Sequence, residues 1–413
     1  MAFLIITTLI KLIIIEFLFL LPLAAILTWM ERRQSAYIQD RVGPTRAGIT
    51  IFNHRFTLWG LIHIVADAIK MFFKEPFIPA KADKIFFKLA PLIPFAISLI
   101  IMALVPFGPD IKCIDIPIIG TWLLTNFPEY SNITLQIARV DTGLLLVFAI
   151  SSLSIYGIIL AGWASNNRYA LLGGLRAVAQ AISYEITLGL TIVGIFIIFG
   201  TAELSQIVAA QQQPLFTSLP TWGVFVQPLG AVFFFIAAIA ESKRLPFDLP
   251  EGESEIIGYF VEYSSMAFGM FMLGEYLEIV VLSAVFTTLF FGGWHLPIII
   301  NLQINSFLAA ILGMIIFGVK VFLLSALQLQ IRWTLPRFRY DQLMRLGWKN
   351  ILPIALANIF ITAGLVWIDP TYKLAAYFGM GLTIIFIILV IIGPRRATLT
   401  ATTSFNNPNQ NQV

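Results

Sequence analysis

The chain has 413 residues, 59% of them hydrophobic and only 12% charged, with mean hydropathy +0.89. A soluble globular chain carries about 25% charged residues, so a water-soluble globule is excluded and a polytopic membrane protein is implied. The net charge of +4 is too small to indicate nucleic acid, and one cysteine with three scattered histidines excludes a disulfide, an iron–sulfur cluster and a Cys/His zinc site.

No phosphate-binding GxxxxGK[ST] loop and no strand–GxGxxG–helix unit occurs, so redox or nucleotide chemistry must sit on a partner chain. Apolar runs of about 18 residues or more predict nine membrane spans. They lie near 3–30, 89–107, 141–164, 174–199, 222–240, 264–292, 305–331, 350–368 and 374–393. The expected fold is all-α: one integral helical bundle over 1–393, followed by a polar, disordered tail at 394–413.

The first run is far longer than the apolar stretch of a signal peptide and has no cleavage site, so it reads as a retained span. Its Lys11 and Glu16 lie outside i,i+4 spacing and receive no role. A dense charge cluster follows, Glu31-Arg32-Arg33 and then Asp40-Arg41-Val42-Gly43-Pro44; a topogenic anchor is its plainest explanation. Within the long hydrophilic segment 31–88, Leu58–Lys74 places Leu58, Leu61, Ile62, Val65, Ile69, Phe72 and Phe73 on one helical face. His63, Asp67, Lys70 and Lys74 take the other side, the pattern of an interfacial amphipathic helix.

In the fourth span, Arg176, Gln180 and Ser183-Tyr184 share a face, and Glu185 lies about 16–18 Å in at 1.5 Å per residue. A carboxylate there costs at least ~2–3 kcal/mol unless it is paired, hydrated or protonated. It is either a buried structural pair with an Arg or Lys, or a proton relay.

Between the fifth and sixth spans runs Arg244-Leu245-Pro246-Phe247-Asp248-Leu249-Pro250-Glu251-Gly252-Glu253-Ser254-Glu255, followed by Glu262. If the segment turns helical after Pro250, Glu251, Glu255 and Glu262 share one face. Carboxylates that close raise one another's pKa. A solvated acidic loop is the common alternative, but Phe247, Ile256, Ile257, Tyr259 and Phe260 interrupt the acids. Within the spans themselves, Glu275, Glu278 and Lys320 mark an ion or proton path, or pair with each other.

Charge sets the orientation. Loops on one side of the nine spans carry 21 of the 26 Lys and Arg residues and the opposite loops carry 3. By the positive-inside rule the N-terminus faces out, and the large loops and C-terminus face the cytoplasm. From the residues alone, a proton-handling membrane subunit and a carrier both remain open.

Five segments resemble one family closely: Glu31–Pro44, Ala66–Glu75, Gly162–Ile186, Glu241–Tyr263 and Pro336–Trp348. On these the chain resembles the H subunits of bacterial NADH:quinone oxidoreductase, counterparts of a mitochondrial complex I chain. The resemblance implies a subunit of the bacterial inner membrane that joins the membrane arm to the peripheral redox arm. Such a subunit walls the quinone chamber and starts an acidic proton-coupling path.

Carried over by position, Arg32, Arg41, Asp67 and Lys70 belong to the quinone entrance. Glu185, Asp248, Glu251, Glu253, Glu255, Glu262 and Glu275 belong to the acidic path, and Arg337, Arg339, Tyr340 and Asp341 to the face toward the peripheral arm. The resemblance implies no catalytic residue, metal or bound cofactor on this chain. Quinone is the substrate, and NADH, FMN and iron–sulfur clusters sit on partner subunits. The partners implied are the peripheral-arm quinone-site subunits, small neighbouring membrane subunits and the bilayer.

The chain departs from the family pattern at His63-Ile64, in a longer 45–65 stretch, and in a ninth span beyond an eight-span core ending near 368. Membrane subunits of energy-converting hydrogenases and formate hydrogenlyase share the Pro-Phe-Asp-Leu region. A solitary secondary transporter is the remaining class, and it would show internal repeats, which are not seen.

Overall fold

The computed structural model describes residues 2–388 except 52–53, 118–120, 122–124, 126–131, 216–219, 251, 253–257, 297–304, 370, 383 and 386–387. The described backbone is helical apart from two short antiparallel hairpins, β1 (Ile49–Ile51) with β2 (His54–Phe56) and β3 (Ile111–Lys112) with β4 (Asn132–Ile133). A bilayer offers the backbone no hydrogen-bond partners, so each spanning segment must satisfy its own groups as a helix.

Seven segments among the described residues are long and apolar enough to cross a membrane. The first runs from α1 (Ala2–Leu12) through a π-helical stretch, Ile13–Leu20, into α2 (Leu21–Ile38). An amphipathic helix, α3 (Ile62–Phe73), precedes the second, made of α4 (Lys84–Leu89) and α5 (Leu92–Leu104). The third joins α6 (Gly143–Ser151) to α7 (Ser154–Ala164), and the fourth is α8 (Arg168–Phe199). A short α9 (Leu204–Ala210) lies between the fourth and fifth predicted spans.

The fifth predicted span is broken into α10 (Gly223–Val226) and α11 (Pro228–Glu241). Gln227 precedes a proline, which disfavours helical backbone at that residue, so only a 14-residue helix follows. The remaining spans are α12 (Ser265–Phe290), α13 (Ser306–Thr334), and α14 (Tyr340–Arg345) leading through a π-helical turn into α15 (Leu352–Ile368). Residues 373–382 of the ninth run are helical; much of the rest of that run, and the 394–413 tail, lie outside the described residues.

Helix α12 is apolar all round, the signature of a buried helix, and it packs against α2, α5 and α13 at the centre of the bundle. In its apolar window 67% of residues are enclosed, against 17% in the span ending at Ile368, which lies on the outside of the bundle. Around α8 lie α7, α11 and α15. Small residues let these backbones approach: a Cβ on Gly162 would stand 2.6 Å from the Ala170 carbonyl oxygen.

Asn167 caps α8 by accepting a 2.9 Å hydrogen bond from the Tyr169 amide, so the helix starts six residues earlier than the hydropathy run suggests. Glu185 consequently lies about 26 Å along the helix rather than 16–18 Å. The amphipathic prediction holds for α3, preceded by a short turn at Leu58–Gly60. Val65, Ile69, Phe72 and Phe73 are exposed along one side of it. Ser265 fastens its far end by donating to the carbonyls of Met71 (3.0 Å) and Lys74 (2.7 Å).

Candidate functional site: a charged cleft and the buried network beneath it

At the end of the bundle that carries the large loops, a cleft of about 580 Å³ opens between α2, the 41–46 turn and α3. Glu31, Arg32, Arg41, Arg46, His63 and Trp333 line it. Arg32 pairs with Asp67 of α3 across the cleft edge, both half-exposed. Arg41 donates to the Gln39 amide oxygen at 2.6 Å. His63 is a staple rather than a ligand: Nε2 accepts from the Ala47 amide (3.2 Å), and a proton on Nδ1 satisfies the Gly60 carbonyl (3.2 Å). Lys70 is exposed on α3, outside the cleft lining.

Glu31 belongs to the cleft and also to the interior. Its Oε2 accepts from Arg244 (2.8 Å) and from the Tyr276 hydroxyl (2.6 Å), and its Oε1 forms an ion pair with Arg332 at 2.7 Å. Arg244 forks onward to Glu275 at 3.1 Å, and its guanidinium stacks 4.0 Å over the Tyr276 ring. Glu275 also accepts from the Tyr259 hydroxyl (3.1 Å). One helical turn deeper, Lys243 pairs with Glu278 at 3.3 Å. Burial opposes the charge on Lys243, but the carboxylates of Glu278, Glu241 and Glu275 outweigh it and raise the ammonium's pKa.

Glu185 lies within electrostatic reach of Lys243 and Glu278. Glu185 Oε1 and Glu241 Oε2 are buried with no hydrogen-bond partner among the described residues. A mostly apolar cavity of about 20 Å³, the size of one water, is lined by Glu241, Glu278, Ser98, Ser151 and Ser154 together with apolar residues such as Ile101, Phe148 and Val281. Five carboxyls and three cations among the described residues, from six elements, thus form one group, in which Glu31, Glu241, Lys243 and Arg244 are buried and Glu185, Glu275, Glu278 and Arg332 partly so.

The loop that supplies Lys243 and Arg244 is itself fixed. Gln180 of α8, fully buried, donates to the carbonyls of Ala240 (2.6 Å) and Phe247 (2.8 Å). Phe247 stacks on Phe338 at 5.5 Å, and the Phe338 amide donates to the Pro246 carbonyl. Tyr184 donates to the Leu343 carbonyl (3.1 Å), and Trp348 Nε1 donates to Ser183 (3.0 Å). The Arg176–Gln180–Ser183 face of α8 is therefore largely a seat for two loops.

Among the predicted site residues, Arg32 and Arg41 share the cleft, with Asp67 at its edge through Arg32, and Glu275 and Glu185 share the interior. Asp248 is half-buried in the same loop as Arg244. Glu251, Glu253 and Glu255 lie outside the described residues. Glu262 is elsewhere: residues 258–264 form turns rather than a helix, and its carboxylate accepts from Asn167 (2.8 Å) in a surface groove. Arg339 pairs with Asp341 at 3.0 Å on the exposed start of α14, and Arg337 rests against Gly252. Tyr340 packs on the central core.

Sequence reasoning assigned no role to Glu241, Lys243, Arg244, Tyr276 and Arg332, and it took Glu31 only as part of a topogenic charge cluster. Glu278 it flagged only as in-membrane charge. The usable signal was the excess of acids over bases between Glu241 and Glu278, which demands cations from elsewhere in the fold.

The family model described as NADH dehydrogenase matches residues 10–363. The chain belongs to this family. It is 40% identical over 383 residues to the NADH-quinone oxidoreductase H subunit of Bdellovibrio bacteriovorus, covering 87% of this chain and 95% of that one. The second such H subunit of Geobacter metallireducens is 43% identical over 358 residues (86% and 94%), and the H subunit of Rickettsia bellii is 45% identical over 348 (84% and 90%). No cluster of three or more metal-binding side chains occurs among the described residues of this NADH dehydrogenase family member.

At the opposite end of this NADH dehydrogenase family chain, Lys320 stands apart from the acidic group. It donates to the carbonyls of Phe291 (2.7 Å), Gly293 (2.9 Å) and His295 (2.8 Å), completing the C-terminus of α12. Lys11 of α1 reaches the Gln136 carbonyl at 3.3 Å, and Glu16 is buried in the π-helical stretch.

On the same end, burial pushes the Glu203 carboxyl up, but hydrogen bonds from Ser205, Arg139 and Gln206 outweigh it and hold its pKa below the usual range. A depressed carboxylate pKa stabilises the fold above its unfolded value, and that stability is lost as pH falls through the folded one. Acidifying the purified assembly should therefore lower its melting temperature partly through this pair. In Arg139→Met that portion of the acid-side decline should be smaller in melts across pH 3–6; an unchanged decline would show that Glu203 does not set it.

Proposed function

We propose that the chain is the membrane subunit of a proton-translocating NADH:quinone oxidoreductase of a bacterial inner membrane. In this reading it shapes the quinone entrance and begins the acidic coupling path between the peripheral redox arm and the membrane arm. The observation that supports it is Glu31, one carboxylate that lines the charged cleft and anchors the buried network. Any charge that changes in the cleft is felt directly by Arg244, Arg332 and Tyr276.

A quinone has an apolar tail and a polar head, so its entrance must join greasy walls to charged surface. The exposed apolar side of α3 supplies the first, and Arg32, Arg41 and Asp67 the second. NADH, FMN and iron–sulfur clusters belong to partner subunits, and Lys70 lies beside the mouth. Arg337, Arg339 and Asp341 face the peripheral arm, with Tyr340 of the same segment packed inward on the core, which makes this end cytoplasmic, in agreement with the positive-inside distribution.

Reducing the quinone leaves a proton-demanding species near the cleft. Asp248 and the acids Glu251, Glu253 and Glu255 are the first titratable groups to respond, and Glu275 and Glu185 carry the response inward, while Glu262, held by Asn167 in its surface groove, stands off this route. Among the described residues five buried or partly buried carboxyls share three cations, and a buried charge without a partner costs several kcal/mol, so protons make up the shortfall. A single added charge then redistributes them.

Replacing Arg41 with alanine tests the entrance. The apparent KM for a lipid-soluble quinone should rise several-fold while NADH oxidation by ferricyanide, a hydrophilic acceptor that bypasses the chamber, stays near normal. Equal loss of both activities would mean that Arg41 supports assembly rather than quinone access.

A further inference from the structure

Lys243 is placed where a lysine is unfavourable. It follows the last turn of α11 with φ +56°, the left-handed position after a helix that glycine or asparagine normally fills. It is 3% exposed, so its ammonium points into the protein rather than toward water. Both departures are explained if a cation is required at this one point.

The charged groups around it come from every neighbouring element: Glu185 from α8, Glu241 from α11, and Glu275 and Glu278 from α12. Behind these stand Arg244, Glu31, Arg332 and the hydroxyls of Tyr259 and Tyr276. Arg244 is immobilised by its fork between Glu31 and Glu275 and by the Tyr276 ring. Lys243 is held differently. Its contact with Glu278 is 3.3 Å, longer than the roughly 2.7–2.9 Å of a tight charged hydrogen bond, and a lysine is a compact charge on a flexible stem. Glu241, whose Oε2 has no hydrogen-bond partner among the described residues, lines the same water-sized cavity as Glu278.

We propose that Lys243 is the moving counter-ion of the acidic path, its ammonium exchanging between Glu278 and Glu241 while one proton crosses the cavity in the opposite sense. With the ammonium on Glu278, that carboxylate is ionised and Glu241 holds the proton. When the ammonium swings to Glu241, the proton passes through the cavity water to Glu278. The pair's net charge is the same in both states, so no uncompensated charge is ever buried. This rests on the acidic-path reading above and assigns its switch to a residue outside the run of carboxylates.

The test uses the whole complex in native membranes, with NADH:ferricyanide activity reporting assembly. Asparagine tolerates the left-handed backbone, so Lys243→Asn removes the charge without adding strain. Its quinone-linked proton pumping should fall about tenfold, the effect of one pKa unit, with a displaced pH profile, and Lys243→Arg should restore it only in part. Lys243→Asn combined with Glu278→Gln keeps the charge balance, so it assembles even where the single variant does not.

If that balanced pair pumps normally, Lys243 is a static neutraliser and the proposal is overturned; normal pumping in an assembled Lys243→Asn overturns it as well, whereas its impairment in the assembled complex supports it. Glu241→Gln separates the two levels of the argument. Lost pumping there with normal pumping in Lys243→Asn removes the switch and keeps the path. Normal pumping in Glu241→Gln, Glu185→Gln and Lys243→Asn alike removes the path itself.

Discussion

Replacing Arg244 with methionine should destabilise the protein by about 3–5 kcal/mol, the typical result of removing one partner from a buried ion pair. Arg244 is 7% exposed and serves two carboxylates, Glu31 at 2.8 Å and Glu275 at 3.1 Å. Methionine fills much of the same volume, so the loss is electrostatic rather than a cavity. Glu275 would lose its ion pair with Arg244, and Glu31 would lose one of its two cations. Less assembled complex should accumulate in the membrane, and what remains should melt at a lower temperature. Arg244→Lys keeps the charge but not the fork, so it should fall between the two. Wild-type abundance and melting in Arg244→Met would show that Arg332 and Tyr276 alone hold the cluster.

The second large effect is on turnover. Glu185→Gln is nearly isosteric, and the carboxyl it replaces has an oxygen without a hydrogen-bond partner among the described residues, so packing and assembly should survive. Removing a titratable group from the path should lower quinone-linked NADH oxidation and proton pumping about tenfold or more, with ferricyanide reduction unchanged. Glu255→Gln in the adjoining loop should act in the same direction. Normal pumping by the assembled Glu185→Gln and Glu255→Gln variants would make these carboxylates structural.

The bilayer makes much of this fold legible from sequence. Where only helices can satisfy the backbone, an apolar run such as 264–292 announces α12 without any tertiary information. The ends of elements are less visible, because local chemistry outside the apolar run decides them. Asn167 extends α8 backward over polar residues, and Gln227-Pro228 cuts the fifth run short.

The site is only partly legible for a different reason. A carboxylate inside a span signals itself by its cost, which is how Glu185 and Glu275 stand out. Its cation does not signal itself, because the partner is set by the fold. Glu31 meets Arg244 across 213 residues of chain, and the same Glu31 reads in sequence as part of an ordinary charged anchor. Lys320 shows the converse: an in-span lysine that looks like a path residue and instead completes a helix end.

That helix end and the serine at the other end of α12 together limit how coupling across the bundle works. Ser265 ties the start of α12 to α3, and Lys320 holds the carbonyls just past its finish with three hydrogen bonds. Sliding α12 along its axis by even one residue, about 1.5 Å, would break bonds at both ends at once. The helix that carries Glu275, Tyr276 and Glu278 is thus a fixed rail and not a piston. In the proposed coupling, work then travels as displaced protons and swinging side chains on a stationary frame, at the speed of rotamer changes rather than of helix movements.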